Sequence, residues 1–124
     1  MNFPKVSIMI PTYNQQKYIV RAIESALSQD YPNMEIVISD DNSPDETQVI
    51  VENYLCKKND SRIKYFRNQE NIGILKNYHK SLYDYASGDW VINLDGDDFF
   101  VDPSFISEAV KLTLEDESIV LVFG

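Results

Sequence analysis

Short apolar runs return along this chain at near-regular intervals, and each is followed by a stretch of helical period. That alternation limits the fold more than any other feature. Val6-Ser7-Ile8-Met9-Ile10, Glu35-Ile36-Val37-Ile38-Ser39, Ile63-Lys64-Tyr65-Phe66, Trp90 to Leu94 and Ile119 to Phe123 are short and mostly β-branched or aromatic. They read as five strands, the first closed by Pro11. From Gln15 to Gln29 the pairs Tyr18/Ile19, Ala22/Ile23 and Ala26/Leu27 recur every four residues, which makes one apolar stripe on a helix, with Asn14 its candidate N-cap. Ser43-Pro44-Asp45-Glu46 combines a Ser cap, a Pro at the first helical position and a Glu three residues after the cap. The helix it opens carries Val49, Ile50, Tyr54 and Leu55 and runs out near Lys57-Lys58. A third helix sets Leu75, Tyr78, Leu82, Tyr85 and Ala86 on one side, where they read as core, and Gly88 stops it. Asp102-Pro103 opens a fourth, with Phe105, Ile106, Ala109 and Val110. Strands alternating with helices imply an α/β layered sheet, mainly parallel.

In such sheets ligands bind beyond the carboxyl ends of the strands, near a switch in strand order. Pro11–Asn14, Asp40–Ser43, Asn68–Gly73 and Asp95–Asp98 each follow a strand and so fall on one rim. The last of these concentrates Asp95, Asp97 and Asp98 at one strand end. Like charges so close are stable when a cation neutralises them, and hard divalent cations prefer oxygen ligands. An acidic surface turn ahead of the Asp102-Pro103 helix start is the plainer alternative.

Charge and cysteine content narrow the partners. At 124 residues the chain suits one domain with a real core. The net charge of −9 argues against nucleic acid or an anionic membrane surface, either of which calls for a basic patch. Phosphates can still be held through metal ions and backbone N–H groups. Cys56 is alone, so no disulfide framework exists, and a reducing compartment, the cytoplasm, is expected. No apolar run is long enough to span a membrane, and no signal peptide is visible. The all-apolar strand Ile119 to Phe123 stands one residue from the end. It reads as the edge of a domain cut short, or of one that completes itself with another copy, so a homo-oligomer is also expected.

Lys5-Val6-Ser7-Ile8-Met9-Ile10-Pro11-Thr12-Tyr13-Asn14 resembles the opening of a family 2 glycosyltransferase of the GT-A fold. Ser39-Asp40-Asp41-Asn42-Ser43 is similar to its second block, and Asn71-Ile72-Gly73 with Lys76-Asn77 to its third, where Arg-Asn is commoner than Lys-Asn. Gly88-Asp89-Trp90-Val91 and Leu94-Asp95-Gly96-Asp97-Asp98 match the fourth, the Asp-x-Asp block, with Pro103 at the usual distance. Four blocks in order cover nearly the whole chain. The resemblance implies a three-layer α/β/α sandwich with strands one and four side by side. It makes residues 1–124 the nucleotide-sugar-binding part of a longer transferase whose acceptor-binding half is absent. It also implies that Pro11, Thr12, Tyr13 and Asn14 belong to the nucleotide site, with Pro11 and Tyr13 against the base and Asp41 bonding it, typically uracil. Asn71, Gly73, Lys76 and Gly96 join them, Lys76 near the phosphates. Asp97 is implied as the main Mg²⁺ or Mn²⁺ ligand, Asp95 as support for metal or ribose, and Asp98 as shaping the turn or touching the sugar.

The activity so implied is inverting, metal-dependent transfer of a sugar from a UDP-sugar to a saccharide or lipid-linked acceptor, in bacterial cell-surface polysaccharide synthesis. A peripheral position at the inner face of the cell membrane would suit it. In the family the general base lies downstream of the Asp-x-Asp block, so no catalytic residue is assigned within this chain. The alternative function is a non-catalytic nucleotide-sugar-binding or assembly module. A phosphoacceptor domain is disfavoured because Pro-Thr-Tyr-Asn, not an acidic pair, follows the first strand. A dinucleotide-binding domain is disfavoured because no Gly-x-Gly-x-x-Gly stands there. His79 reads as solvated or half-buried, Cys56 as inert, Trp90 as core, and Asp60 and Glu115-Asp116-Glu117 as solvated turns.

Overall fold

The computed structural model describes residues 3–120 and 122. The elements are β1 (Val6–Thr12), α1 (Ile19–Leu27), β2 (Met34–Asp40), α2 (Thr47–Lys58), β3 (Ile63–Arg67), α3 (Ile74–Lys80) running into a π-helical turn (Ser81–Tyr85), β4 (Trp90–Asn93) and α4 (Phe105–Glu115). The strands form one sheet in the order β3-β2-β1-β4. Every neighbouring pair is parallel. β2 and β3 step outward on one side of β1 while β4 pairs on the other, as expected, so the order reverses between β1 and β4.

The two-residue period of the strands divides the sheet into unlike faces. On one, Val6, Ile8 and Ile10 of β1 and Ile36 and Ile38 of β2 join Ile19, Ala22, Ile23 and Ala26 of α1, Val51 of α2, and Ile106 and Val110 of α4 in a single apolar core. The other face buries Ser7, Met9, Glu35, Val37 and Ser39 and packs against α3 and the π turn. Helices on both faces give the three-layer α/β/α arrangement. The second face is polar by design: Asn77 on α3 donates through Nδ2 to the Ser39 carbonyl at 3.0 Å. Glu35, 2% exposed, accepts from Ser7 Oγ at 2.6 Å, Lys64 Nζ at 2.7 Å and the Ser87 N–H at 2.7 Å. Burial pushes its pKa up, but these donors outweigh burial and hold the carboxyl down at about 2.

Several expectations need correction. α1 begins at Ile19 rather than Gln15, and the stretch ahead of it is a tight turn in which the Tyr18 N–H donates to the Gln15 carbonyl at 3.0 Å. Asn14 does not cap it: at φ 59° it lies in the left-handed region, not the extended one a cap adopts. α2 begins at Thr47, not Pro44. Ser43 is taken by Asp40, whose Oδ1 accepts its N–H and hydroxyl at 2.9 and 2.6 Å, and Asp45 accepts the Thr47 N–H at 3.0 Å instead. Leu75 is 84% exposed and Tyr78 is also exposed, because the inward face of α3 carries Asn77 and the π turn carries Ser81. Helical structure ends at Tyr85, ahead of Gly88. Gly88 serves close packing: a Cβ there would lie 2.7 Å from the Ser7 nitrogen. Asp60 is not simply solvated; it pairs with the Arg62 guanidinium at 2.8 Å. Trp90 is half-buried against the core. Pro11 does not close β1, which continues through Thr12. Ile119 and Val120 have no strand geometry, and the rest of the fifth strand falls largely on residues outside the described ones.

Candidate functional site

The parallel sheet brings the four polar loops to one rim, and main-chain bonds fasten them together. The Asp41 N–H donates to the Thr12 carbonyl at 3.0 Å, Asn68 N–H to Asp40 at 2.9 Å, and Gly96 N–H to Pro11 at 3.1 Å. The Asn14 N–H donates to Ser43 Oγ at 3.0 Å. Between these loops opens a cleft of about 440 Å³, the size of a small-molecule site. Pro11, Thr12, Tyr13, Asp41, Asn71, Gly73, Asp95 and Asp97 all line it. Gly96 is buried just behind it, where a Cβ would lie 2.7 Å from Thr12 Oγ1. Asn14 and Lys76 are exposed and do not line the cleft.

Asp41 is 3% exposed. Its Oδ1 accepts from Asn68 Nδ2 at 2.9 Å and the Ile72 N–H at 2.8 Å, and its Oδ2 from the Gly73 N–H at 2.9 Å. An ionised carboxylate offers about four acceptor positions, so one is left. Asp41 therefore organises the loop before α3 as well as lining the cleft. Asn71 adds Nδ2 to the Asp41 carbonyl at 3.1 Å. Gly73 sits at φ 92°, a conformation that favours glycine and that turns the chain into α3. Asp40, fully buried, supports from below: Tyr65 donates its hydroxyl to it at 2.6 Å. Burial, and after it Asp40, push the Tyr65 phenol pKa up, so Tyr65 stays a donor.

At the end of β4 the chain reverses through a turn in which the Asp98 N–H donates to the Asp95 carbonyl at 2.8 Å. Asp95, Asp97 and Asp98 are all exposed, and each offers a carboxylate oxygen within 4.8 Å of the others. Asn93 Nδ2 donates to Asp95 Oδ1 at 3.0 Å and orients it. This all-oxygen donor set suits a hard divalent cation.

Three cleft residues were not singled out from the sequence as site residues. Gln15 accepts from Thr12 Oγ1 at 2.7 Å, and Ile74 stands 84% exposed at the rim. Asn77 is buried, accepting from Asn68 Nδ2 at 3.0 Å. A polar residue on the inner face of a helix is the signal that marks Asn77.

The family model described as Glycosyl transferase family 2 matches residues 7–124. A GalNAc(5)-diNAcBac-PP-undecaprenol beta-1,3-glucosyltransferase of Campylobacter jejuni is 46% identical over 124 residues, 98% of this chain and 38% of that protein. A mannosyltransferase from Pyrobaculum calidifontis, solved in complex with GDP-Man and Mn²⁺, superposes with a TM-score of 0.82 at 27% identity over 89% of this chain and 32% of that one. A crystal structure of S. aureus TarS in complex with UDP-GlcNAc gives 0.80 at 33% identity over 91% of this chain and 32% of that one. The chain spans about a third of the length of these proteins. It belongs to glycosyl transferase family 2 and carries the GT-A fold.

Proposed function

We propose that residues 1–124 form the nucleotide-sugar-binding part of an inverting glycosyltransferase that takes a UDP-sugar as donor. The observation that carries this reading is one cleft in which Tyr13, Asp41 and Gly73 share a wall with Asp95 and Asp97. Four separate strand ends thus converge on one volume. An exposed aromatic face, a buried acceptor and an oxygen-rich turn match, in that order, a flat base, its ring N–H and a metal-bound diphosphate. Tyr13, 43% exposed, is free to stack on a base. Asp41 keeps one acceptor position for the ring N–H. Pro11, Thr12, Asn71 and Gly73 shape the walls.

Asp97 and Asp95 would hold Mg²⁺ or Mn²⁺, with Asp98 beside them. A cation there would supply Lewis-acid stabilisation of a diphosphate leaving group. The chain's own part is to bind and orient: the Asn93 contact to Asp95 aims that carboxylate, and Gly96 lets the turn lie against β1. The relatives support the reading because two of the similar structures contain a nucleotide sugar, one with Mn²⁺. The C. jejuni relative is named for an acceptor on undecaprenol, and on that ground the acceptor here is a lipid-linked saccharide. No helix among the described residues is long and apolar enough to cross a membrane.

Crystals grown with UDP and Mn²⁺ test the assignment by anomalous scattering. The expected result is an Mn²⁺ peak on Asp97 with uracil against Tyr13. An ion or nucleotide found elsewhere on the chain overturns it.

A further inference from the structure

Arg21 and Ser25 on α1, and Gln29 just past its end, stand four residues apart and so line one face of the helix. All three reach the segment that follows β4. Arg21 Nη2 donates to the Asp97 carbonyl at 3.3 Å, and its guanidinium lies 4.3 Å over the Phe99 ring. Ser25 Oγ accepts the Phe100 N–H at 3.0 Å. Gln29, 5% exposed, donates through Nε2 to the Asp102 carbonyl at 2.8 Å and accepts the Ile106 N–H at 3.1 Å. The Asp30 N–H adds a bond to the Pro103 carbonyl at 2.9 Å. The stripe thus contacts positions 97, 100, 102 and 106 in order, from the acidic turn to the first turn of α4. The core explains the apolar face of α1; it does not explain this polar one.

We infer that Arg21 and Ser25 are positioning residues for the acidic turn, with Gln29 the buried anchor of the same stripe. They fix the main chain of residues 97–100 and thereby the spacing of the Asp95, Asp97 and Asp98 carboxylates. The inference rests on the reading of that turn as a divalent-cation site. Arg21 makes the case distinctive because its charge works against its position. A cation beside three carboxylates lowers their affinity for a metal, so by Coulomb's law alone its removal tightens metal binding. If its contact with the Asp97 carbonyl and Phe99 sets the turn, its removal weakens metal binding. The two roles predict opposite signs.

The test is Mn²⁺ titration of the whole chain in the presence of UDP, read by electron paramagnetic resonance of the free ion. Arg21→Ala alters an exposed position, and Ser25→Ala introduces the best helix former, so both retain the fold. Each is expected to weaken Mn²⁺ about tenfold, the size of effect seen when groups that orient metal ligands are lost. Ser25→Thr keeps the accepting hydroxyl and holds the wild-type affinity. Wild-type or tighter affinity in either Ala variant overturns the inference. Asp97→Ala separates the two levels: if it binds Mn²⁺ as the wild type does, the cation-site reading itself has failed.

Discussion

The Gly96 N–H donates to the Pro11 carbonyl at 3.1 Å, and this bond joins the acidic turn after β4 to the last residues of β1. It is possible because β1 and β4 are neighbours although most of the chain lies between them. Gly96 is buried, and a Cβ at this position would press on Thr12 and Gln15. Gly96→Ala is therefore expected to cost about 1–3 kcal/mol of stability by overpacking and to displace the turn from the cleft. Urea unfolding measures the first effect and Mn²⁺ affinity the second.

Asp41 carries two loads, and they can be separated. Asp41→Asn replaces one acceptor oxygen by an NH₂ group, which faces a main-chain N–H of Ile72 or Gly73 without a bond. The loss of stability is expected at about 1–3 kcal/mol for the donor left unpaired, with weaker UDP binding beside it. Denaturant midpoints and nucleotide titration read the two together.

Tyr13 makes the opposite prediction. It is exposed and lines the cleft, so Tyr13→Ala leaves the melting temperature unchanged. It is expected to reduce UDP binding by about 1–3 kcal/mol, the usual worth of a base stacked on an aromatic ring. Tyr13→Phe keeps the ring face and should bind as the wild type does. Equal UDP affinity in all three proteins would remove Tyr13 from the site.

Glu35 contributes to acid stability. Its folded pKa of about 2 lies below the ordinary value of 4.5. A depressed carboxyl stabilises the fold fully above the ordinary value, and the contribution drains away as pH falls from 4.5 towards 2. The shift corresponds to about 3 kcal/mol. Glu35→Gln is expected to be less stable at neutral pH and to show a flatter fall between pH 5 and 2 than the wild type, by about that amount. Chemical unfolding at several pH values measures both slopes.

The period of the apolar runs made β1 to β4 legible, and the polar ends of those runs placed the rim. Parallel pairing then did the rest, since it sends every carboxyl end to one side. What stayed hidden was the polar face of the sheet. Glu35 and Ser7 look like interruptions of apolar strands until Lys64 and Ser87 are seen to meet them. Asn77 was hidden for the same reason, and Leu75 was misplaced because α3 turns polar residues inward. Local bonds moved the helix starts: Asp40 took Ser43 away from α2, and Asn14 adopted a left-handed turn that no pattern of apolar residues announces. The acidic turn was visible as three carboxylates, but not the Arg21–Ser25–Gln29 stripe that reaches it, because its partners are main-chain atoms far along the chain.

As proposed above, the Asp95–Asp98 turn would hold a metal-bound diphosphate in the cleft beside Tyr13 and Asp41. Calorimetric titration of UDP, with and without Mn²⁺, into the wild type and Asp97→Ala tests it most directly. Mn²⁺ is expected to strengthen UDP binding to the wild type and to have no effect on Asp97→Ala. UDP binding that is equal in the two proteins, or indifferent to Mn²⁺ in the wild type, contradicts it.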